Sequence, residues 1–410
     1  MGRLGPERTF LPSASIHGAS AALLATVAEA FCLAVLAVLA CGSLLNLSTS
    51  SHWFVRGWDF PRIQIVLLSI VATAGIVGIW AVRGGQSTIP FAMPIALTGC
   101  VAVAAWHSVR IAPYTPMAPK QARSARRGEI GSAADTADSI RVVVSNVLME
   151  NRQYDRWIRT IREAEPDVLI ALEVDQRWAE QLAPLSEDYP HRVEQIQDNY
   201  YGMLFYSKLP IENHEIRFLV EDDIPSIDAR VRVPSGRSIR VIGVHPRPPE
   251  PIRDVHSTAR DAELVLWGRE LREETSPVII GGDLNDVAWS RTTRLFLKTG
   301  QLLDPRRGRG FFNTFHADHW YMRFPLDHVF HSNHFTIRRL ERLPNVGSDH
   351  FPMLIELQCG GETQADNELL DADRDDEREA EAILDVARED EDIDSPAVRE
   401  GRIPDDEARV

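Results

Sequence analysis

Three long uncharged apolar runs constrain the first 112 residues more tightly than any other feature of the chain. Between Arg8 and Arg56 the only formal charge is Glu29, which FCLAVLAVLACGSLLNL follows closely. IQIVLLSIVATAGIVGIWAV fills Ile63 to Val82 between Arg62 and Arg83, and a third uncharged interval, Gly84 to Val109, contains IPFAMPIALTGCVAVAAW. About 20 apolar residues span a bilayer as a helix. Inside hydrocarbon every backbone polar group must be bonded internally, so runs of this length are read as helices. A cleaved leader would explain only the first run, and three such runs joined by short links are hard to cover in a small soluble core. The expectation is an all-α transmembrane segment over residues 19–112, with three helices, a lipid bilayer as partner, and a multi-pass membrane location. Pro90 and Pro94 are the irregularity in the third. Glu29 and His107 are the ionisable groups inside the spans, too few for a transport pathway.

The formal net charge of −15 is unevenly distributed. Residues 361–410 hold 20 Asp and Glu against 6 Arg, so residues 359–410 read as an acidic disordered tail, relieved by one short helix around Ala380 to Val386. Residues 113–137, rich in Pro, Ala, Gly and Ser, read as a linker, and residues 1–18 as an N-terminal tail. The four cysteines form no disulfide framework.

Between residues 138 and 358 the pattern changes. IRVVVSN, PDVLIALE, GMLFYS, IDARVRV, IRVIGVH, PVIIGGD, DHVF and FPMLIEL are short apolar runs of strand length, and YDRWIRTIREA is helical in period. The turn PSGR between IDARVRV and SIRVIGVH favours antiparallel pairing. Strands outnumber helices, which fits an α+β fold with a core of two mixed sheets and helices outside.

Polar groups sit at the ends of those runs: Asn146 after RVVVS, Glu173 after VLIAL, His245 after RVIGV, Asp283 and Asn285 after PVIIGG, Asp327 before HVF, and Asp349 and His350 before FPMLIEL. Singly each reads as a turn residue or a satisfied histidine. Jointly, at strand ends that converge, they can line one pocket.

The segments SNV, ALEV, GMLFYSKLPI, GVHP, GGDLND, PLDHVF and GSDHFP resemble the successive motifs of the endonuclease/exonuclease/phosphatase family, the deoxyribonuclease-I-like superfamily, across about Ile140 to Leu357. The resemblance implies a four-layer α/β/β/α sandwich and a membrane-anchored bacterial-type phosphoesterase using Mg2+, with Mn2+ as substitute. It also implies roles: Glu173 and Asp349 on the metal, Asn146 fixing that shell or binding phosphate, and Asp327 orienting His350. His245 matches a leaving-group acid found in some members, and Arg247 in HPRPP is a candidate for an anionic substrate.

Chemistry agrees with this assignment. Cleaving a phosphoester with water needs a cation, a base for the water and donors for charge developing on phosphate. In an extended segment residues i and i+2 share a side, so Asp283 is expected to orient the water while the Asn285 amide donates to phosphate and His350 donates beside it. The Gly281-Gly282 pair permits close backbone approach there.

Residues 138–358 carry 28 Lys and Arg against 34 Asp and Glu, so nothing general favours polyanions. Local arginines do: Arg306, Arg307, Arg309 and Arg323 before Asp327, and Arg338, Arg339 and Arg342 before Asp349. Nucleic acid, a phospholipid or a small phosphoester all remain open as substrate, and nothing specifies a protein partner. The competing readings are a phosphatase on the same site and an inactive membrane scaffold. Lys and Arg flanking the spans, three on the N-terminal side and seven on the other, favour a cytoplasmic location for the domain.

Overall fold

The computed structural model describes residues 14–87, 89–125, 138–251, 254–360 and 367–404. Two compact units divide the chain: Met1–Thr49 with Arg62–Arg110, and Ser50–Pro61 with Ile111–Val410.

The first unit holds α1 (Ala14–Leu45), α3 (Arg62–Val82) and most of α4 (Ala92–Ile111), while α2 (Trp53–Arg56) belongs to the second. Ser20–Leu45, Arg62–Val82 and Ala92–Tyr114 are long and apolar enough to cross a membrane. Their apolar residues face both ways: Ile76 and Ala96 are buried together, whereas Phe31, Val71 and Val101 are exposed, the pattern of a helix apolar all round. Pro90 precedes α4 and Pro94 lies in its first turn, where a missing N–H breaks no helical bond. Glu29 and His107 are hydrogen-bonded inside this unit, His107 to Ser43 and Arg62, and Glu29 to Ser87. Helix α1 begins inside the expected N-terminal tail, of which residues 1–13 lie outside the described residues.

The second unit is built on two mixed sheets. The first contains β1 (Ser139–Asn146), β2 (Val168–Leu172), β3 (His191–Gln195), β4 (Met203–Ser207), β10 (Phe335–Arg342) and β11 (Met353–Cys359), in the order β10-β11-β1-β2-β4-β3. The second contains β5 (Ile211–Arg217), β6 (Ser226–Arg232), β7 (Ser238–Val244), β8 (Val278–Asp283) and β9 (Asp327–His331), in sequence order. Each sheet has one parallel pair, β1 with β2 and β7 with β8, and its other pairs are antiparallel.

Strand alternation sets the layers. Val142 and Val144 enter the core between the sheets, together with Ile170, Met203, Ile227, Val241 and Ile279. Val143 and Leu169 point the other way, onto α5 (Tyr154–Ala164) and α6 (Gln176–Gln181) through Trp157, Ile161 and Trp178. On the second sheet Ile242, Val244 and Ile280 meet α7 (Thr258–Glu273) and α8 (Arg291–Thr299) through Leu264, Trp267 and Phe296. Strands buried on both faces have no polar side, which explains why they read as unbroken apolar runs.

Three sequence expectations change. Residues 113–125 are not a linker: the buried Tyr114 hydroxyl donates to Ala288 O at 2.6 Å, Ala122 lies in the inter-sheet core, and Ser124 pairs with Ile337 as an added parallel bridge. Small residues that look like linker composition fill tight edge positions equally well; residues 126–137 lie outside the described residues. The acidic segment is not wholly a solvated tail either. Helix α9 (Arg374–Glu389), capped by Asp373, buries Ala380, Leu384 and Ala387 against α7 and α8, and α10 (Pro396–Glu400) adds Ala397 and Val398. The short helix expected around Ala380 to Val386 lies inside α9, but its packing could not be read from composition, and the acids find cations on the surface they cover: Lys298 for Asp376, Arg269 for Glu381 and Arg272 for Glu377. Thirdly, the compact unit is larger than residues 138–358, because the loop between α1 and α3 is part of it: Trp53 N donates to Val255 O, and Trp289 Nε1 to Asp59 O.

Candidate functional site

Both parallel strand pairs deliver chemistry at their C-terminal ends, where open α/β sheets bind ligands. Asn146 ends β1 and Glu173 follows β2, while His245 follows β7 and Asp283 ends β8. Antiparallel neighbours return to the same ends: Asp327 opens β9 directly opposite Asp283, and His350 lies just before β11, whose Met353 pairs with Val144.

At the centre, one amide bridges two carboxylates. Asn146 Nδ2 donates to Glu173 Oε1 at 2.7 Å and to Asp283 Oδ2 at 3.2 Å, while its Oδ1 accepts from Leu148 N. Glu173 also accepts from Met149 N at 3.2 Å. Burial pushes the Glu173 carboxyl up to about 7 despite these donors; a second carboxylate, Asp283, adds to the shift.

His350 lies between two acids. Its Nδ1 is 2.7 Å from Asp327 Oδ2, and its Nε2 is 3.5 Å from Asp283 Oδ2, a separation too long for a good hydrogen bond. Burial opposes its charge, but Asp327 and then Asp283 outweigh that and push the imidazole up to about 10. The charged ring therefore keeps an Nε2–H that a third oxygen can accept. Ser348 fixes the loop, its hydroxyl donating to Asn146 O at 2.9 Å and accepting from His350 N at 3.0 Å. Gly347 before it has φ +92 and no room for a Cβ, which would fall 2.6 Å from the Gln153 side chain.

Asn285 is close to Asp283 for a different reason from the one expected. The strand stops at Asp283, and Asn285 is left-handed with φ +51, its N–H donating to Asp283 Oδ1 at 2.9 Å. The two side chains are thus neighbours through a turn capped by the carboxylate, not through strand alternation. The Asn285 amide donates to Pro246 O at 3.0 Å, which orients it. Leu148 and Glu173 also have positive φ, at +58 and +63, so three strained residues cluster here, as is common at functional sites. The glycine pair serves sheet packing: a Cβ on Gly282 would lie 1.7 Å from Val244 O on the adjacent strand.

The remaining expected residues sit less centrally. His245 is buried, its Nδ1 has no hydrogen bond, and its ring lies 5.2 Å from that of Tyr201. Burial lowers it to about 4, so it is neutral at pH 7, which does not suit a general acid in the free protein. Among the described residues the Asp349 carboxylate accepts a hydrogen bond from the Ser348 hydroxyl at 3.4 Å, and no hydrogen bond or ion pair joins it to Glu173. Arg247 corrects its expectation: it pairs with Glu221 at 2.9 Å, Asp223 at 3.0 Å and Asp254 at 3.5 Å and stacks on Tyr201, so its charge is already matched.

Sequence reading missed the support beneath the DLND turn. Arg260 Nη1 donates to Asn285 O at 2.8 Å, and the same buried guanidinium pairs with Asp261 at 2.8 Å. Asp261 also holds Arg56 from the α1–α3 loop at 3.3 Å. Asp286 accepts from the Ser290 hydroxyl, and its carbonyl meets His328 Nε2 at 2.9 Å. In sequence Arg260 and Asp261 look like ordinary charges on a polar helix face, so no local signal marks them.

Among the described residues Asp283, Asp327 and His350 form a group tight enough to hold a metal ion. Charge argues for another occupant of that space: the imidazolium itself is the cation between the two carboxylates. The better fit to a divalent cation is Glu173, a desolvated carboxylate with Asp283 nearby and too little positive charge beside it. A groove of about 890 Å³ lined by Arg240, Glu270, Arg269 and Glu381 contains none of these residues.

A family model described as the Endonuclease/Exonuclease/phosphatase family matches residues 143–350, about half of the chain. A UPF0294 protein of Vibrio cholerae serotype O1 is 28% identical over 134 residues, 32% of this chain and 44% of that protein; the match takes in less than half the length of this relative. Among solved structures, humanized D. rerio TDP2 is 17% identical with TM-score 0.46, covering 54% of this chain and 99% of that one. The human Nocturnin catalytic domain with bound sulfate anion is 17% identical with TM-score 0.44, covering 55% and 96%. Sphingomyelinase C from Streptomyces griseocarneus is 18% identical with TM-score 0.41, covering 53% and 99%.

Proposed function

Because the chain belongs to the endonuclease/exonuclease/phosphatase family, we propose that it is a membrane-anchored, divalent-metal-dependent hydrolase of phosphoester bonds, of phosphodiesterase type. The observation that carries this reading is the buried His350, its Nδ1 held by Asp327 at 2.7 Å and its Nε2 3.5 Å from Asp283. Asp283 aims and deprotonates the attacking water, its carboxylate fixed by Asn146 and by Asn285 N–H. His350 Nε2–H and the second amide proton of Asn285 stabilise charge developing on the phosphate oxygens. Asp327 keeps His350 protonated and oriented. Neutral His245 donates a hydrogen bond on the leaving-group side. Glu173, positioned by Asn146 and Met149 N–H, is the principal ligand for Mg2+ or Mn2+, with Asp349 as a second; the ion supplies charge neutralisation at the phosphate.

The assay is hydrolysis of bis(4-nitrophenyl) phosphate by the full chain in detergent. Activity should vanish on complete chelation and return with Mg2+ or Mn2+, and Glu173→Gln should raise the metal concentration for half activity by about tenfold or more. Hydrolysis that survives chelation rules the metal mechanism out.

The membrane reading rests on length and composition, together with one point of connectivity. Ser50–Pro61 and Ile111–Val410 belong to one compact unit, so the chain between them must leave that unit and return to it. Two crossings by α3 and α4 do this and one does not, which supports counting the proline-containing third run as a span. With three spans the basic-residue count favours a cytoplasmic enzyme unit. Met117, 92% exposed, is the site for an introduced cysteine; Met117→Cys should resist an impermeant maleimide in intact cells, and labelling there would put the unit outside.

A further inference from the structure

Some of the arginines near the site have carboxylate partners. Arg306 pairs with Asp304 at 2.8 Å, Arg338 with Glu356 at 3.0 Å, and Arg339 with Glu341. Arg323 and Arg342 are different: among the described residues neither has a carboxylate partner, and both stack on one ring, Phe351, at 5.1 and 4.3 Å from its centroid. Burial and then Arg323 lower the proton affinity of Arg342, the sign of two like charges held close without compensation. Arg323 Nε is buried without a hydrogen bond.

This pair adjoins the reaction centre. Phe351 directly follows His350, and its N–H donates to Thr314 O at 2.9 Å. Arg342 Nη1 donates to Asn313 O at 2.7 Å and Arg323 Nη2 to Ala317 O at 3.0 Å, so both are tied to the segment that lays Phe315 against the His350 ring at 4.9 Å. The same segment is bonded to the catalytic loop by Ala317 N to Asp349 O. Elsewhere in the unit the buried Arg240 is matched by Asp228 and Glu274, whereas Arg309, away from Phe351, bonds main-chain and hydroxyl oxygens. Two unmatched guanidiniums on a rigid ring offer a preorganised fork for a planar or tetrahedral anion.

We propose that Arg323 and Arg342 bind a second anionic group of the substrate, most simply a second phosphate, so that the preferred substrate is a phosphodiester carrying another phosphate near the scissile one. This rests on the phosphoesterase reading and narrows its substrate class. The test compares two matched pairs with the full chain and Mg2+: the dinucleotides TpT and pTpT, and vesicles of phosphatidylglycerol and of cardiolipin. In at least one pair the doubly phosphorylated member should be favoured in kcat/KM by about tenfold, through KM, the scale of one or two charge-assisted bonds. The ratio should fall in Arg323→Gln and in Arg342→Gln and reach about one in the double variant, while Arg342→Lys keeps part of it. A ratio is measured within each variant, so a misfolded variant cannot imitate the result. A wild-type ratio near one in both pairs, or an undiminished ratio in the double variant, overturns the proposal while leaving the phosphoesterase reading standing. Failure of the wild type to cleave all four diesters removes both.

Discussion

Asp283→Ala and His350→Ala should each lower phosphodiester turnover by on the order of a hundredfold or more, the scale for losing a positioned base or an electrostatic donor. The two effects should not multiply in the double variant, because Asp283 and His350 act on one phosphate and lie 3.5 Å apart. His350→Ala also leaves Asp327 buried without its counter-charge, so His350→Gln, which retains a neutral donor toward Asp327, separates chemistry from stability. The charged histidine makes a pH prediction whose sign is fixed. Its folded pKa of about 10 lies above the ordinary 6.5, so the stabilisation is complete below about pH 6.5 and is lost as pH rises through 10. Asp327→Asn removes the main cause and should draw that alkaline loss of melting temperature toward neutrality. Near wild-type turnover in both alanine variants, or identical alkaline melting profiles for wild type and Asp327→Asn, would sink the site assignment.

Asp261→Ala should destabilise the second unit by about 3–5 kcal/mol, the range for stranding a buried charge. Asp261 is 1% exposed and pairs with Arg260, itself 1% exposed, and with Arg56. Its removal leaves two guanidiniums in the interior, with Asp286, 3.7 Å from Arg260, and the more distant Asp59 in partial compensation. Turnover should fall as well, since Arg260 holds the carbonyl of Asn285. Arg56→Met should cost less stability than Asp261→Ala, because it removes a charge without orphaning Arg260. Chemical denaturation of the full chain measures both; a loss below about 1 kcal/mol for Asp261→Ala would mean that water reaches this cluster. A fragment confined to residues 138–358 lacks Arg56, Tyr114 and α9, and the surfaces they cover would be exposed.

What was legible in the sequence is local. Apolar runs of bilayer length and short apolar strand runs are patterns imposed by backbone hydrogen bonding and side-chain periodicity, and they sufficed for the three long apolar helices and most strands of the two mixed sheets, though not for the polar β3 and β5 or the arginine-rich β10. Asn146, Glu173, Asp283, Asp327 and His350, which the fold brings together, were singled out only jointly, through the family resemblance. The tertiary structure decided whatever depends on pairing across distance. It turned Asn285 into a left-handed turn residue, absorbed Arg247 into a cage of carboxylates, and fastened Asp261 to an arginine 205 positions away. It also folded part of an acidic segment onto α7 and α8 and left Arg323 and Arg342 beside the site with no carboxylate partner among the described residues. A charge in a sequence looks the same whether it ends up in water, in an ion pair or beside another like charge, because its energy is set by neighbours that only the folded chain supplies.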